Sequence, residues 1–295
     1  MQHNLLKAKW TNFFSGAYSD AEWLCIKISV FILLGHMLIF PLFNRVDVPF
    51  PLGLCEWMDC RFALHPMWRW VMAGLIAAGL LAFLLEKKMF YITLFLFCSS
   101  MLVHSIEESQ GNMGRAGLMS LVFLALFFAY ALQRFGVSEN VSRNRIQFVA
   151  QFIAGVYLLA ACSKMSSAGW AWFTESPNVA LQVLKSFDNV YFDTGDLSAL
   201  QKGQATAAWI SSHPVLVKLL FGSAIVLETC SFMLLGKKPV AFVYALLLFC
   251  MHLGIYQVLH ILFQTISYPL IIFLINPLYI LYLCGWSVRY LVRAK

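Results

Sequence analysis

Eight apolar stretches, at roughly 23–43, 67–85, 89–105, 117–133, 146–163, 215–235, 239–261 and 269–288, decide what this chain can fold into. About 20 helical residues, rising about 1.5 Å each, cover the roughly 30 Å of hydrocarbon in a bilayer. Backbone inside lipid must bond to itself, so apolar runs of this length read as transmembrane helices. The third and fifth runs are short. With 61% hydrophobic and 12% charged residues, the chain lacks the polar surface of a soluble globule. Its mean hydropathy is +0.75. The expected fold class is all-α: a polytopic transmembrane helical bundle of about eight spans.

Charge gives this layout an independent direction. Segments 1–27, 86–88, 134–145, 236–238 and 289–295 carry thirteen Lys and Arg against four Asp and Glu. The alternate segments, 44–69, 106–116 and 164–218, carry eight against nine. Lys and Arg favour the cytoplasmic side, so both termini are expected there. The pI of about 9.0 then requires no nucleic-acid partner. Residues 1–20 set Leu5, Leu6, Trp10, Phe13 and Phe14 among Lys7 and Lys9, the pattern of an interfacial amphipathic helix and not of a cleavable signal. Residues 21–295 are expected to form a single transmembrane domain, with no internal repeat. The polar stretch at about 165–214 predicts an extracytoplasmic amphipathic segment, a helix along the outer surface followed by a loop, placed to cover a cavity. The localisation expected is multi-pass integral membrane, the inner membrane if the source is bacterial.

Of the eight cysteines, six fall in or beside spans, where a thiol behaves as a small hydrophobe. Cys55 and Cys60 instead share the first extracytoplasmic loop, where an oxidising compartment favours a disulfide if their Cα atoms come within about 7 Å. The spacing is not Cys-x-x-Cys, which favours a structural clip over a redox centre.

The ionisable residues at the ends of the spans carry the chemistry. Lys164 closes the fifth apolar run, and a lysine held partly out of water loses solvation of its charged form, which makes a neutral amine available as a base. His104 ends the third run. His252, Tyr256 and His260 recur every four residues along the seventh, forming a stripe suited to lining a cavity. Glu228, within the sixth, has to be protonated or bonded to another helix. The bland alternatives are a snorkelling Lys164 and packing histidines. No metal is expected, since His252 and His260 lie about 12 Å apart along the helix axis, too far for one zinc.

In their order along the chain these features resemble the HTTM (horizontally transferred transmembrane) domain family and the membrane domain of vitamin K-dependent gamma-glutamyl carboxylase. Asp59-Cys60-Arg61-Phe62 is similar to the family's Cys-Arg-Phe segment, and His104-Ser105 to its Asn-His-Ser motif, with Val103 in place of Asn. Ala154-Gly155-Val156 followed by Lys164 and Trp170 resembles its Ala-Gly-x-x-Lys-Leu-x-x-x-Trp signature. His252 stands in a segment similar to its Phe-His-x-x-Asn region, and Glu228 falls where the family carries an intramembrane acid. The resemblance implies that Lys164 is the base acting on a reduced naphthoquinone or other quinol, with His104 and His252 as hydrogen-bonding or oxyanion-stabilising partners. It implies a cofactor lying against Tyr256, His260, Trp170 and Glu228.

The leading expectation is therefore a carboxylase-like enzyme that uses a quinol cofactor at its extracytoplasmic face to modify an exported peptide or a lipid-linked substrate. Membrane lipids are its other expected partners. The alternatives are a non-enzymatic factor for maturation or export of a secreted peptide, a thiol-disulfide oxidoreductase built on Cys55 and Cys60, and a transporter whose proton path uses Glu228, Lys164 and His252.

Overall fold

The computed structural model describes residues 18–43, 52–110, 117–138, 140–259 and 264–293. The amphipathic helix expected over 1–20 falls almost wholly outside them, as does His260. Among the described residues there is no strand.

The chain forms helices α1 (Asp20–Phe43), α2 (Pro66–Leu84), α3 (Met89–Ser109), α4 (Gly117–Arg134), α5 (Val141–Ala168), α6 (Val179–Thr194), α7 (Leu197–Ser212), α8 (Pro214–Thr229), α9 (Lys238–Leu259) and α10 (Pro277–Arg293). A π-helical turn, Val30–Leu34, lies within α1, and a 3₁₀ segment, Cys230–Leu235, continues α8. Eight helical segments are long and apolar enough to cross a membrane: α1 to α5, Pro214–Leu235, Lys238–Val258 and Ile266–Gly285. The protein is an all-α, multi-pass integral membrane protein.

The third and fifth spans are not short. α3 has 21 residues and α5 has 28. Hydropathy marks where hydrocarbon contact ends, whereas the helix continues as long as its polar residues bond back to it. Ser109 Oγ donates to the Ser105 carbonyl at 2.6 Å and Ser167 Oγ to that of Ser163 at 2.8 Å, so both polar ends stay helical.

The described chain packs as two compact units. The first comprises Met1–Ile153, Lys237–Pro239 and Gln264–Lys295, and the second Ala154–Gly236 and Val240–Phe263. α5 and α9 each contribute residues to both.

In the first unit the apolar core includes Ile26, Leu34, Leu38, Ile76, Leu80, Phe83 and Phe123, all buried. Polar ties complete it. Lys238 Nζ donates to Glu22 Oε2 at 2.7 Å, and both side chains are buried. Asn276 Nδ2 donates to the Glu22 carbonyl at 3.2 Å. The next residue of α1, Trp23, donates from Nε1 to Glu86 Oε1 at 2.7 Å, and Lys27, a turn further along, pairs with the same carboxylate at 3.2 Å. The Arg145 guanidinium covers the Trp23 ring at 3.6 Å. Partial burial alone would raise the Glu86 carboxyl, but the bonds from Lys27 and Trp23 and the charges of Lys27 and Arg145 outweigh it and hold the group below its ordinary range.

The expected clip is present as a Cys55–Cys60 disulfide with a Cα–Cα distance of 5.3 Å. Its cysteines are buried with Ala63 and Ile106, and Cys55 N donates to Ser109 Oγ at 3.3 Å, which fastens the loop to the end of α3.

In the second unit the loop expected at the end of 165–214 is instead a second helix. Gly195, at φ 72°, adopts the left-handed conformation that ends α6. Asp196 Oδ1 then accepts from Ser198 N at 2.9 Å and caps α7. Ala199, Gly203, Ala207 and Ile210 recur at helical spacing on its buried face. A Cβ on Gly203 would lie 2.7 Å from the Phe187 Cβ, so α6 and α7 meet backbone to side chain. Small residues in this stripe keep its hydropathy low, which is why it reads as loop. Val183, Phe187, Ile210 and Val217 form the core that joins this hairpin to α8.

Two predictions follow from the polar ties in the first unit. Removing one partner of a buried pair strands the other charge at about 3–5 kcal/mol. Glu22→Gln should therefore destabilise strongly in denaturant titrations in mild detergent, and Glu22→Met combined with Lys238→Leu should recover most of the loss. Glu86, whose folded pKa is depressed, contributes stability that is present above its unfolded value of about 4.3 and lost as pH falls through the folded value. Melting curves should accordingly show Glu86→Gln destabilising at neutral pH, with the difference shrinking as pH falls below the unfolded value and vanishing only below the depressed folded value.

Candidate functional site

A lysine–glutamate pair and a tyrosine–histidine pair lie together in the second unit. Lys164, near the end of α5, donates to both oxygens of Glu228 on α8, at 2.5 and 2.6 Å. Ten residues earlier on α5, the Ala154 carbonyl accepts from Ser231 Oγ at 2.8 Å. Positions that rise along α5 thus pair with positions that fall along the partner, the order of antiparallel helices. Side chains lean toward the N-terminus of their own helix, so on antiparallel neighbours Lys164 and Glu228 lean toward one another. The paired acid is the outcome that an intramembrane carboxylate requires.

Tyr157 stands seven residues before Lys164, two turns back on the same face of α5. Its hydroxyl shares a 2.7 Å hydrogen bond with His252 Nε2 on α9, and both side chains are buried. The Lys164 charge acts on His252, and the Glu228 charge acts on Tyr157. Four ionisable residues from three helices therefore form one electrostatic group. Every shift of a proton within it changes the field at the others.

Beside this group lies a cavity of about 300 Å³. Phe221 and Ala224 of α8, Met251 and Ile255 of α9 and Trp209 of α7 are part of its wall, with Lys164, Trp172 and Ser223 among the polar members. The Lys164 ammonium lies 5.3 Å from the centre of the Trp172 ring. The buried indole Nε1 of Trp172 has no hydrogen-bond partner among the described residues. Glu228 is only 6% exposed and Lys164 28%, so the amine fronts the cavity and the carboxylate backs it. An arrangement of this kind can hold an apolar molecule with an oxygen atom near the ammonium and pass a proton to or from a carboxylate behind it.

The expected site residues are distributed as follows. Lys164, Glu228 and His252 come together. Tyr256 lies on α9 in the same unit and is partly buried, while the cavity wall on α9 is the neighbouring stripe Leu247, Cys250, Met251, Gly254, Ile255 and Val258. Trp170 is 76% exposed and stacks on Phe173, outside the cavity wall. His104 belongs to the first unit, where it pairs with Glu108 at 3.5 Å and lies against Gly117. Its Nδ1 is buried without a hydrogen-bond partner among the described residues. Sequence reasoning missed Tyr157 and Trp172. The seven-residue spacing from Lys164 could have found Tyr157. Nothing in the sequence distinguishes the indole of Trp172 from its neighbours. Among the described residues no group of three His, Cys, Asp or Glu side chains is arranged to hold a metal ion.

Comparison with family models, curated proteins and solved structures yields no match to this chain.

The unequal exposure of the pair makes a testable asymmetry. Lys164→Leu leaves a carboxylate that water cannot reach and should cost about 3–5 kcal/mol in detergent unfolding. Glu228→Leu leaves an amine that water can reach and should cost less than half as much. Equal losses would mean that the two ends of the pair are equally solvated.

Proposed function

We propose that this protein is a membrane enzyme resembling the HTTM carboxylases, which binds a quinol-type lipid cofactor in the apolar cavity of its second unit and deprotonates it with the Lys164–Glu228 pair. One observation carries this: the amine on a largely apolar wall is backed by a buried carboxylate able to take its proton. A cavity of about 300 Å³ lies at the lower end of the usual range for small-molecule sites, roughly 300–1,000 Å³. The indole N–H of Trp172 offers a donor to a ring oxygen.

The proton balance is simple. Lys164 passes a proton to Glu228, and the neutral amine then takes the proton of the quinol hydroxyl. Lys164 would end as an ammonium and Glu228 as a neutral acid, so the positive charge would stand where the oxygen of a bound quinol would lie, inside a low-dielectric site. His252 and Tyr157, hydrogen-bonded to one another, share the electric field of the pair. When bound, a quinol of this kind would supply the oxygen-dependent strong base that the resemblance implies for a carboxylation, with Lys164 and Trp172 holding its polar head. The substrate class that accompanies this reading is an exported peptide or a lipid-linked molecule at the extracytoplasmic face.

Binding and deprotonation can be measured separately. Trp172 and Trp209 border the cavity, so titrating the purified protein in nanodiscs with a reduced long-chain naphthoquinone should quench tryptophan fluorescence saturably. The bound quinol should ionise, by its absorbance, at lower pH than the same quinol in empty nanodiscs. Glu228→Gln should retain quenching and lose the shift. Quenching no greater than simple partition into lipid, or a shift unchanged in Glu228→Gln, would overturn the assignment.

A further inference from the structure

A second site lies in the first unit, at the junction of α3 and α4. Lys88 precedes α3 and Arg134 ends α4, and together with Phe90, Tyr91, Tyr130 and Gln133 they border an open pocket of about 470 Å³. Both helices are candidate membrane spans, so the pocket stands at the end of two spans, where lipid headgroups lie.

The chemistry of the pocket is that of an anion receptor. The Arg134 guanidinium lies 4.9 Å from the Phe90 ring centre and 4.8 Å from that of Tyr91. Rings that take the face of a guanidinium leave its in-plane N–H donors open, and those donors match the two oxygens of a phosphate. Neither Arg134 nor Lys88 has a carboxylate partner among the described residues. Glu86, two residues before Lys88, is already engaged by Lys27 and Trp23. Two cations without a carboxylate partner among the described residues thus share one pocket whose remaining wall is largely aromatic. Such a wall suits the glycerol and upper acyl region of a lipid better than a small inorganic ion. Basic pockets between membrane helices bind acidic headgroups by this combination of charge and apolar contact.

We infer that the pocket between Lys88 and Arg134 binds the phosphate of an anionic phospholipid, with the lipid's glycerol and upper chains against Phe90 and Tyr91. A zwitterionic phosphatidylcholine bears the same phosphate, but its ammonium would meet two like charges. The site therefore discriminates by net headgroup charge. It is independent of the cavity in the second unit.

The test uses the full chain in nanodiscs of equal phosphatidylglycerol and phosphatidylcholine, with retained lipid counted by native mass spectrometry after mild activation. The wild-type protein should keep phosphatidylglycerol in preference. Arg134→Gln and Lys88→Asn should each weaken that preference about fivefold, and Arg134→Lys should keep part of it. Lys88 has a positive φ of 43°, a conformation asparagine tolerates, and circular dichroism checks that each variant is folded. Excess inorganic phosphate distinguishes the other source of the same chemistry: displacement of the lipid by free phosphate would overturn the lipid assignment. Equal retention of the two lipids, or a preference unchanged in both charge-removing variants, would overturn the site itself.

Discussion

A single lysine and a single glutamate on neighbouring helices set the character of the second unit. Moving either charge alone out of water costs several kcal/mol even after relaxation, whereas together they satisfy one another through two hydrogen bonds. This restricts α5 and α8. If either helix turned by one residue, the side chain would move about 100° around the axis and the partner would be stranded. The pair therefore fixes the rotation of both helices, and with it the placement of Tyr157 on α5 and of the apolar stripe on α8 that faces the cavity. Packing in lipid has little hydrophobic drive, so polar contacts of this kind select among many otherwise similar apolar interfaces.

The cavity follows from the same constraint. The hairpin of α6 and α7 packs against α8 through Val183, Phe187, Ile210 and Val217. This core and the polar pair leave between them a space bordered by Trp172, Trp209 and Phe221. Large flat rings cannot close such a gap as completely as branched aliphatic side chains at native packing density. A space with a polar corner at Lys164 and largely apolar walls results.

Much of this was legible in the sequence, for different reasons at different places. The spans were legible because lipid imposes a length, and the limits expected from hydropathy differ from the helix ends chiefly where serine-rich ends bond back to their own helices, as at Ser109 and Ser167. The Cys55–Cys60 clip was legible because five residues of separation let two Cα atoms approach to 5.3 Å. The partner of Glu228 was only half legible: an acid in a span demands a partner, but nothing local says which of several cations supplies it. α7 was hidden, because helices that pack closely use alanine and glycine, which leave no hydrophobic period to detect. The stripe of His252 and Tyr256 was correctly placed on one face of α9, but which face borders a cavity depends on how neighbouring helices pack around it, and that is long-range information.

Comparison of two ion pairs clarifies what separates a structural tie from a site. Glu22 and Lys238 are buried almost equally, with side-chain exposures of 3% and 7%, and an additional bond from Asn276 binds the Glu22 backbone. Both side chains are thus almost wholly closed off from water. Lys164 and Glu228 have the same chemistry but unequal access, 28% against 6%, and the more accessible member stands on a cavity wall. Unequal access gives direction: one end can meet a ligand while the other holds the proton away from it. Burial makes either pair costly to break, but only an open, polarised pair is also placed to perform acid–base work.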